Sequence, residues 1–177
     1  MELFNGRPIS ESGRAAKEIK AYDFLDGLGV EYKRIDHEPA MTMDACVEID
    51  KTLCASMCKN LFLCNRQKTE FYLLLMPGDK QFKTKDISSQ IGSSRLSFAS
   101  GEDMERLLDL TPGSATVLGL INDIDNNVVL LIDEAVISAE YIGVHPCVNT
   151  SSIRISVSDL VGKIIPALKN TVIYVTL

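Results

Sequence analysis

The sequence predicts a mixed α/β (α+β) fold, with a mixed, mostly antiparallel sheet or barrel flanked by helices, in one domain spanning residues 1–177. Three observations carry this expectation. Apolar runs of strand length alternate with longer segments whose apolar residues recur at helical spacing. Strict strand–helix–strand alternation is missing, which argues against a doubly wound nucleotide-binding fold. The 46% hydrophobic and 24% charged residues, with 11 Gly and 6 Pro, are typical of a globular chain, and 177 residues supply one sizeable core rather than two.

Ala15, Ile19, Tyr22, Leu25 and Leu28 share one face of a helix between Arg14 and Leu28, with Ser12 as N-cap and Gly29 as stop. Val30 to Ile35 alternates as a half-buried strand, broken by His37-Glu38-Pro39, after which Thr42 caps a short helix. Asn60 to Cys64 and Glu70 to Met76 flank the polar turn Asn65-Arg66-Gln67-Lys68-Thr69 and predict a hairpin. Thr84 to Ile91 reads as a helix and Leu96 to Phe98 as a strand. Ser100-Gly101-Glu102-Asp103 reads as a capping box opening a helix that ends near Leu108. Beyond the loop Thr111-Pro112-Gly113-Ser114, Thr116 to Asn122 and Asn127 to Ile132 predict a second hairpin around Asp125-Asn126. Ile153 to Val157 is a strand leading into a helix from Ser158 to about Leu168, and Thr171 to Leu177 is a closing β-branched strand.

Charge excludes some functions and leaves others. A net charge of −6, from 18 Lys plus Arg against 24 Asp plus Glu, disfavours a protein that grips duplex DNA through a uniformly basic face. The segment Lys51 to Arg95 nevertheless holds 8 basic residues against 3 acidic ones, while Leu96 to Glu140 holds 1 against 9. A local basic segment of this kind suits a small single-stranded RNA footprint. No apolar run approaches the roughly 18 residues of a membrane span, and the five cysteines, without a secretory leader, point to a reducing cytoplasm.

Familiar reaction motifs are missing: no phosphate loop, no GxGxxG after a strand, no HExxH and no GxSxG elbow. Cys46, Cys54, Cys58 and Cys64 lie close in sequence without CxxC spacing, which favours ordinary thiols over a metal site. Cys147 follows His145 too closely for the pair to act readily as nucleophile and base. His37 reads as a turn residue. His145 lies in an irregular Gly- and Pro-bounded loop, and its spacing alone leaves structural and functional roles open. Lys59-Asn60 opens a strand with one side chain on each face. Gly113, followed by Ser114, Ala115 and Thr116, lets a ligand approach the main chain.

In combination, Tyr22 to Tyr32, His37-Glu38-Pro39-Ala40-Met41-Thr42, Lys59-Asn60-Leu61-Phe62-Leu63, Leu110-Thr111-Pro112-Gly113-Ser114 and His145-Pro146-Cys147-Val148-Asn149-Thr150 closely resemble the YbaK/ProX editing-domain family. Its members are free-standing relatives of the insertion domain of bacterial prolyl-tRNA synthetases. The resemblance, strongest to the ProX branch, implies the editing-domain fold and a cytoplasmic hydrolase that deacylates Ala-tRNA(Pro), with no metal or other cofactor. It implies the charged tRNA acceptor 3′ end as partner, and prolyl-tRNA synthetase as a second candidate. By matched position it assigns catalytic roles to Lys59, Gly113 and His145, and substrate contacts to Asn60, Ser114, Ala115, Thr116 and Asn149. Such an ester is already activated, so placing a water and stabilising an oxyanion can suffice. One position departs from the pattern: Val117 stands where the family's GxxxP element has proline, which leaves Cys-tRNA(Pro), Ser-tRNA or a non-catalytic binding role as alternatives.

Overall fold

The computed structural model describes residues 1–39 and 43–177. Thr42, expected as a helix cap, lies outside the described residues. The first sheet is antiparallel, in the order β1-β2-β8-β7, built from β1 (Phe4–Asn5), β2 (Tyr32–Asp36), β7 (Tyr141–Val144) and β8 (Ser151–Ser156). The second runs β5-β3-β4-β6-β9 and comprises β3 (Cys58–Cys64), β4 (Phe71–Pro77), β5 (Ser97–Phe98), β6 (Val128–Asp133) and β9 (Val172–Val175). Here β3 is antiparallel to β4 and β5, whereas β4, β6 and β9 are mutually parallel. The helices are α1 (Ala16–Gly27), α2 (Met43–Leu53), α3 (Thr84–Ile91), α4 (Gly101–Leu108), α5 (Glu134–Ile137) and α6 (157–168). The fold is thus mixed α/β, as the sequence predicts.

Side chains from both sheets meet in one core, where Tyr22 and Leu25 of α1 join Phe62, Leu73, Leu75, Leu130, Ile132, Ile153 and Ile155. Its neighbour lies beneath α3 and holds Leu63, Leu74, Met76, Ile87 and Leu131. Successive residues of β4 therefore serve opposite cores, which explains why that strand reads as a continuous apolar run rather than an alternating one.

The first predicted hairpin, α3 and the Ser100-capped α4 are present; the Ser100 side chain accepts from the Asp103 N–H. Gly29, at φ +62°, ends α1 in a Schellman motif, with Val30 N–H donating to Leu25 O at 3.0 Å and Gly29 N–H to Asp26 O at 3.0 Å. Ser12 is not the cap, because the helix starts later, with Ala15 as N-cap and no side-chain hydrogen bond. The second predicted hairpin is wrong. Val117–Asn122 is a 3-10 helix, capped when the Thr116 hydroxyl accepts from Leu118 N–H, and the Asp123 carboxylate takes the N–H groups of Asn127 and Val128 at 2.9 and 2.8 Å. A short apolar run carries no period that separates strand from buried helix, and the local side-chain acceptors decided it. In α6, Leu160–Ile164 widens to a π-helical turn just before Pro166, which relieves the backbone clash that proline brings to a regular helix.

Candidate active site

β3 and β7 bring the first two pieces of the site together. Met57 and Gly143 form an isolated parallel bridge, with Gly143 N–H donating to Ser56 O at 3.0 Å. A Cβ at Gly143 would lie 3.2 Å from Met57 Cα and 2.5 Å from its movable Sδ, so the two segments approach closely at this glycine. Lys59 and His145 each follow that bridge by two residues in the same chain direction.

Beyond β7 the chain turns through Cys147, which is buried and in the left-handed region at φ +64°. Burial pushes its thiol up to about 12, and that of Cys58 equally, so neither sulfur is a thiolate at neutral pH. Cys54 is exposed and Cys64 buried; among the described residues, no three His, Cys, Asp or Glu are grouped to share a metal ion. The third piece is the loop before the 3-10 helix. Gly113 stands at φ +90°, and a Cβ there would lie 3.8 Å from Asn149 Nδ2, which places this loop directly against the His145–Thr150 segment.

The candidate residues divide by what their atoms are doing. Ser114 is buried and its hydroxyl closes the turn, accepting from Thr111 N–H at 3.2 Å and donating to Thr111 O at 2.9 Å. Thr116, fully buried, caps the 3-10 helix. Both hydroxyls thus shape the loop, while Gly113 and Ala115 leave its main chain approachable. Strand alternation separates Lys59 from Asn60: Asn60 shares a face with Phe62 and the core between the sheets, whereas Lys59 shares one with Leu61 and Leu63. Lys59 Nζ donates to Lys80 O at 3.0 Å, and Lys80 in turn pairs with the buried Asp133 at 2.7 Å. Asn60 Oδ1 is buried with no partner among the described residues, an acceptor left open at the mouth of β3.

His145 Nδ1 lies 2.9 Å from Ser151 O and 3.3 Å from Ser152 Oγ. Burial lowers its pKa, outweighing the Ser151 hydrogen bond that raises it, so the ring is neutral at pH 7. A carbonyl only accepts, so Nδ1 carries the hydrogen and Nε2 keeps a lone pair, with no partner among the described residues. Sequence reasoning missed Ser151 and Ser152. They sit in a plain strand pattern, and only the register of β8 against β2, Ser151 opposite Asp36 and Ser152 opposite Ile35, brings them to His145 and His37. Behind them Arg14 bonds Glu18 and Asp36, and Glu18 accepts from the Tyr22 hydroxyl at 2.8 Å. Burial raises the Asp36 carboxyl, but hydrogen bonds from Arg14 and Arg34 overcome it and hold the group well below the usual carboxylate range.

The structure thus brings the Gly113 loop against Asn149, in the segment that carries His145, whose Nε2 has no partner among the described residues. Residues 37–162 match the aminoacyl-tRNA editing domain, so the chain belongs to that family and is an aminoacyl-tRNA deacylase by class. Among its relatives, it is 33% identical to the prolyl-tRNA editing protein ProX of Acetoanaerobium sticklandii, over 83% of this chain and 89% of that one. It is 28% identical to mouse prolyl-tRNA synthetase associated domain-containing protein 1, over 76% and 82%. A crystal structure assigned as a trans-editing enzyme for prolyl tRNA synthetase shares the fold at a TM-score of 0.68 and 13% identity, over 92% of this chain and 98% of that one.

Proposed function

We propose that this chain, acting as one editing domain over residues 1–177, removes mischarged alanine from tRNA(Pro) by water attack on the aminoacyl ester. The observation that carries the reading is the meeting of the His145–Asn149 segment with the Gly113 loop, in a chain so similar to a prolyl-tRNA editing protein. The neutral His145 accepts a hydrogen bond from water at Nε2, and main-chain N–H groups of Gly113, Ala115 and Thr116 stabilise the oxyanion, that of Ser114 being held by Thr111 O at 3.0 Å. Water oxygen bonds to the ester carbon, the ribose oxygen leaves, and the proton lost by water ends on that oxygen. Lys59 exchanges the Lys80 carbonyl for the terminal nucleotide, and Asn60 and Asn149 contact the aminoacyl group.

Discrimination follows from size. A synthetase site built for proline rejects smaller alanine by only about 1–3 kcal/mol per methylene, so a second, smaller pocket is needed. Such an enzyme works in the cytoplasm on charged tRNA, with prolyl-tRNA synthetase as its natural neighbour, and uses no cofactor. Among the described residues, no helix is long and apolar enough to cross a membrane. Incubation with Ala-, Cys-, Ser- and Pro-tRNA(Pro) tests the reading: ester loss is expected fastest for alanine and at the buffer rate for proline. No acceleration for any of the four overturns it.

A further inference from the structure

The rings of His37 and His145 lie 6.3 Å apart, centroid to centroid, with Ser152 between them. The Ser152 side chain is buried on β8, with Oγ 2.8 Å from His37 Nε2 and 3.3 Å from His145 Nδ1. At the outer end, His37 Nδ1 lies 2.8 Å from Glu38 O. That carbonyl can only accept, so Nδ1 of His37 carries a hydrogen, and in the tautomer with that single ring hydrogen Nε2 offers its lone pair to Ser152. The single Ser152 proton therefore goes to His37. Its oxygen lone pairs are then turned to the His145 Nδ1–H, which already donates to Ser151 O. In this tautomer pattern each hydrogen in the row has one consistent position.

We propose that His37 and Ser152 are positioning residues of the deacylation site: His37 anchors the Ser152 hydroxyl, and Ser152 Oγ with the Ser151 carbonyl fixes the plane and tautomer of His145. The backbone supports this arrangement, because His37 N–H donates to Thr150 O at 2.9 Å, extending the β2–β8 pairing to the residue that carries the ring. A histidine placed only to close a turn would be satisfied by the Glu38 carbonyl and would have no need of a buried serine that also reaches the second imidazole. The inference rests on the deacylase reading for its kinetic consequence, and on geometry alone for its effect on the His145 ring.

The test uses the full chain with His37→Ala, His37→Gln and Ser152→Ala, read by deacylation kinetics and by NMR of ¹⁵N-labelled imidazoles. His37→Ala and Ser152→Ala are expected to lower kcat about tenfold with KM nearly unchanged, as loss of ring orientation weakens water activation without touching substrate. His37→Gln, whose amide oxygen can accept the Ser152 proton, is expected to recover most of the rate. In the spectra, an exchange-protected Nδ1–H on His145 is expected in the parent and His37→Gln, and is lost in the other two. The proposal is overturned if His37→Ala keeps both rate and signal, or if His37→Gln is as impaired as His37→Ala. Should no variant, the parent included, deacylate any tRNA, the spectra still decide the positioning role while the functional reading falls separately. If His37→Ala does not fold, Ser152→Ala and His37→Gln give the same contrast.

Discussion

Val117 replaces the proline of the family's loop pattern, and its surroundings say what that exchange costs. It is the first residue of the 3-10 helix, where its N–H is outside the helical ladder, and Thr116 before it is extended at φ −156°, ψ 149°. Both conditions suit proline, which favours a first helical position and an extended predecessor. Val117→Pro is therefore expected to leave the melting free energy within about 1 kcal/mol of the parent, and to leave the alanine preference intact. A large drop in Tm would show that the loop needs a conformation proline cannot take. His145 makes a prediction of opposite character. Because burial lowers its pKa, the unfolded chain binds the extra proton first as pH falls below the ordinary histidine value of about 6.5. Stability contributed by the neutral ring is thus complete above that pH and declines on acidification toward the folded value; His145→Gln should flatten this part of a denaturation-against-pH curve. Deacylation should be level at pH 7 and above, and fall only once the folded ring protonates.

At the scale of elements, α5 and the loop after β4 hang on one carboxylate. Asp133 is fully buried, accepts from Ala135 N–H at 3.1 Å as the cap of α5, and receives Lys80 Nζ at 2.7 and 3.0 Å. The same Lys80 offers its carbonyl to Lys59. Asp133→Ala is expected to cost about 2–4 kcal/mol in chemical denaturation, because it strands a partly buried ammonium and uncaps a helix, with Asp133→Asn losing less. Legibility at this scale was uneven for identifiable reasons. The hairpin 58–77 and α3 announced themselves through turn chemistry and period. β7 did not: it has four residues, one of them Gly143, and is held by pairing with β8 and the Met57 bridge. Thr116 to Asn122 has the composition of a strand and became a helix because Thr116 and Asp123 supply local acceptors.

For the whole molecule, the distribution of ion pairs sharpens the meaning of its negative charge. Among the described residues, six of the ten cations outside 51–95 stand in salt bridges, against one, Lys80, of the eight within it. Lys85 and Arg95 line a cleft of about 470 Å³ with the hydroxyl-bearing Thr84, Ser88, Ser89 and Ser93. Uncompensated cations beside hydroxyls suit phosphate oxygens, so tRNA affinity should fall as salt rises. The double variant Lys85→Glu with Arg95→Glu should raise KM severalfold and flatten the salt slope by about one to two units with kcat little changed. Unaltered KM and slope would place the acceptor stem on another face.

The sequence by itself determined the fold class, most elements and the identity of the candidate residues, because these depend on period, turn chemistry and residue type along one chain. It also determined where positive charge collects. Only the tertiary structure decided that Lys59 rests on the Lys80 carbonyl, that Ser114 and Thr116 are occupied in building their loop, and that Ser152 joins His37 to His145. Those are matters of strand register and of which acceptor lies within about 3 Å of which donor. Residues 115 positions apart meet only when β2 and β8 pair, and no local pattern encodes that meeting.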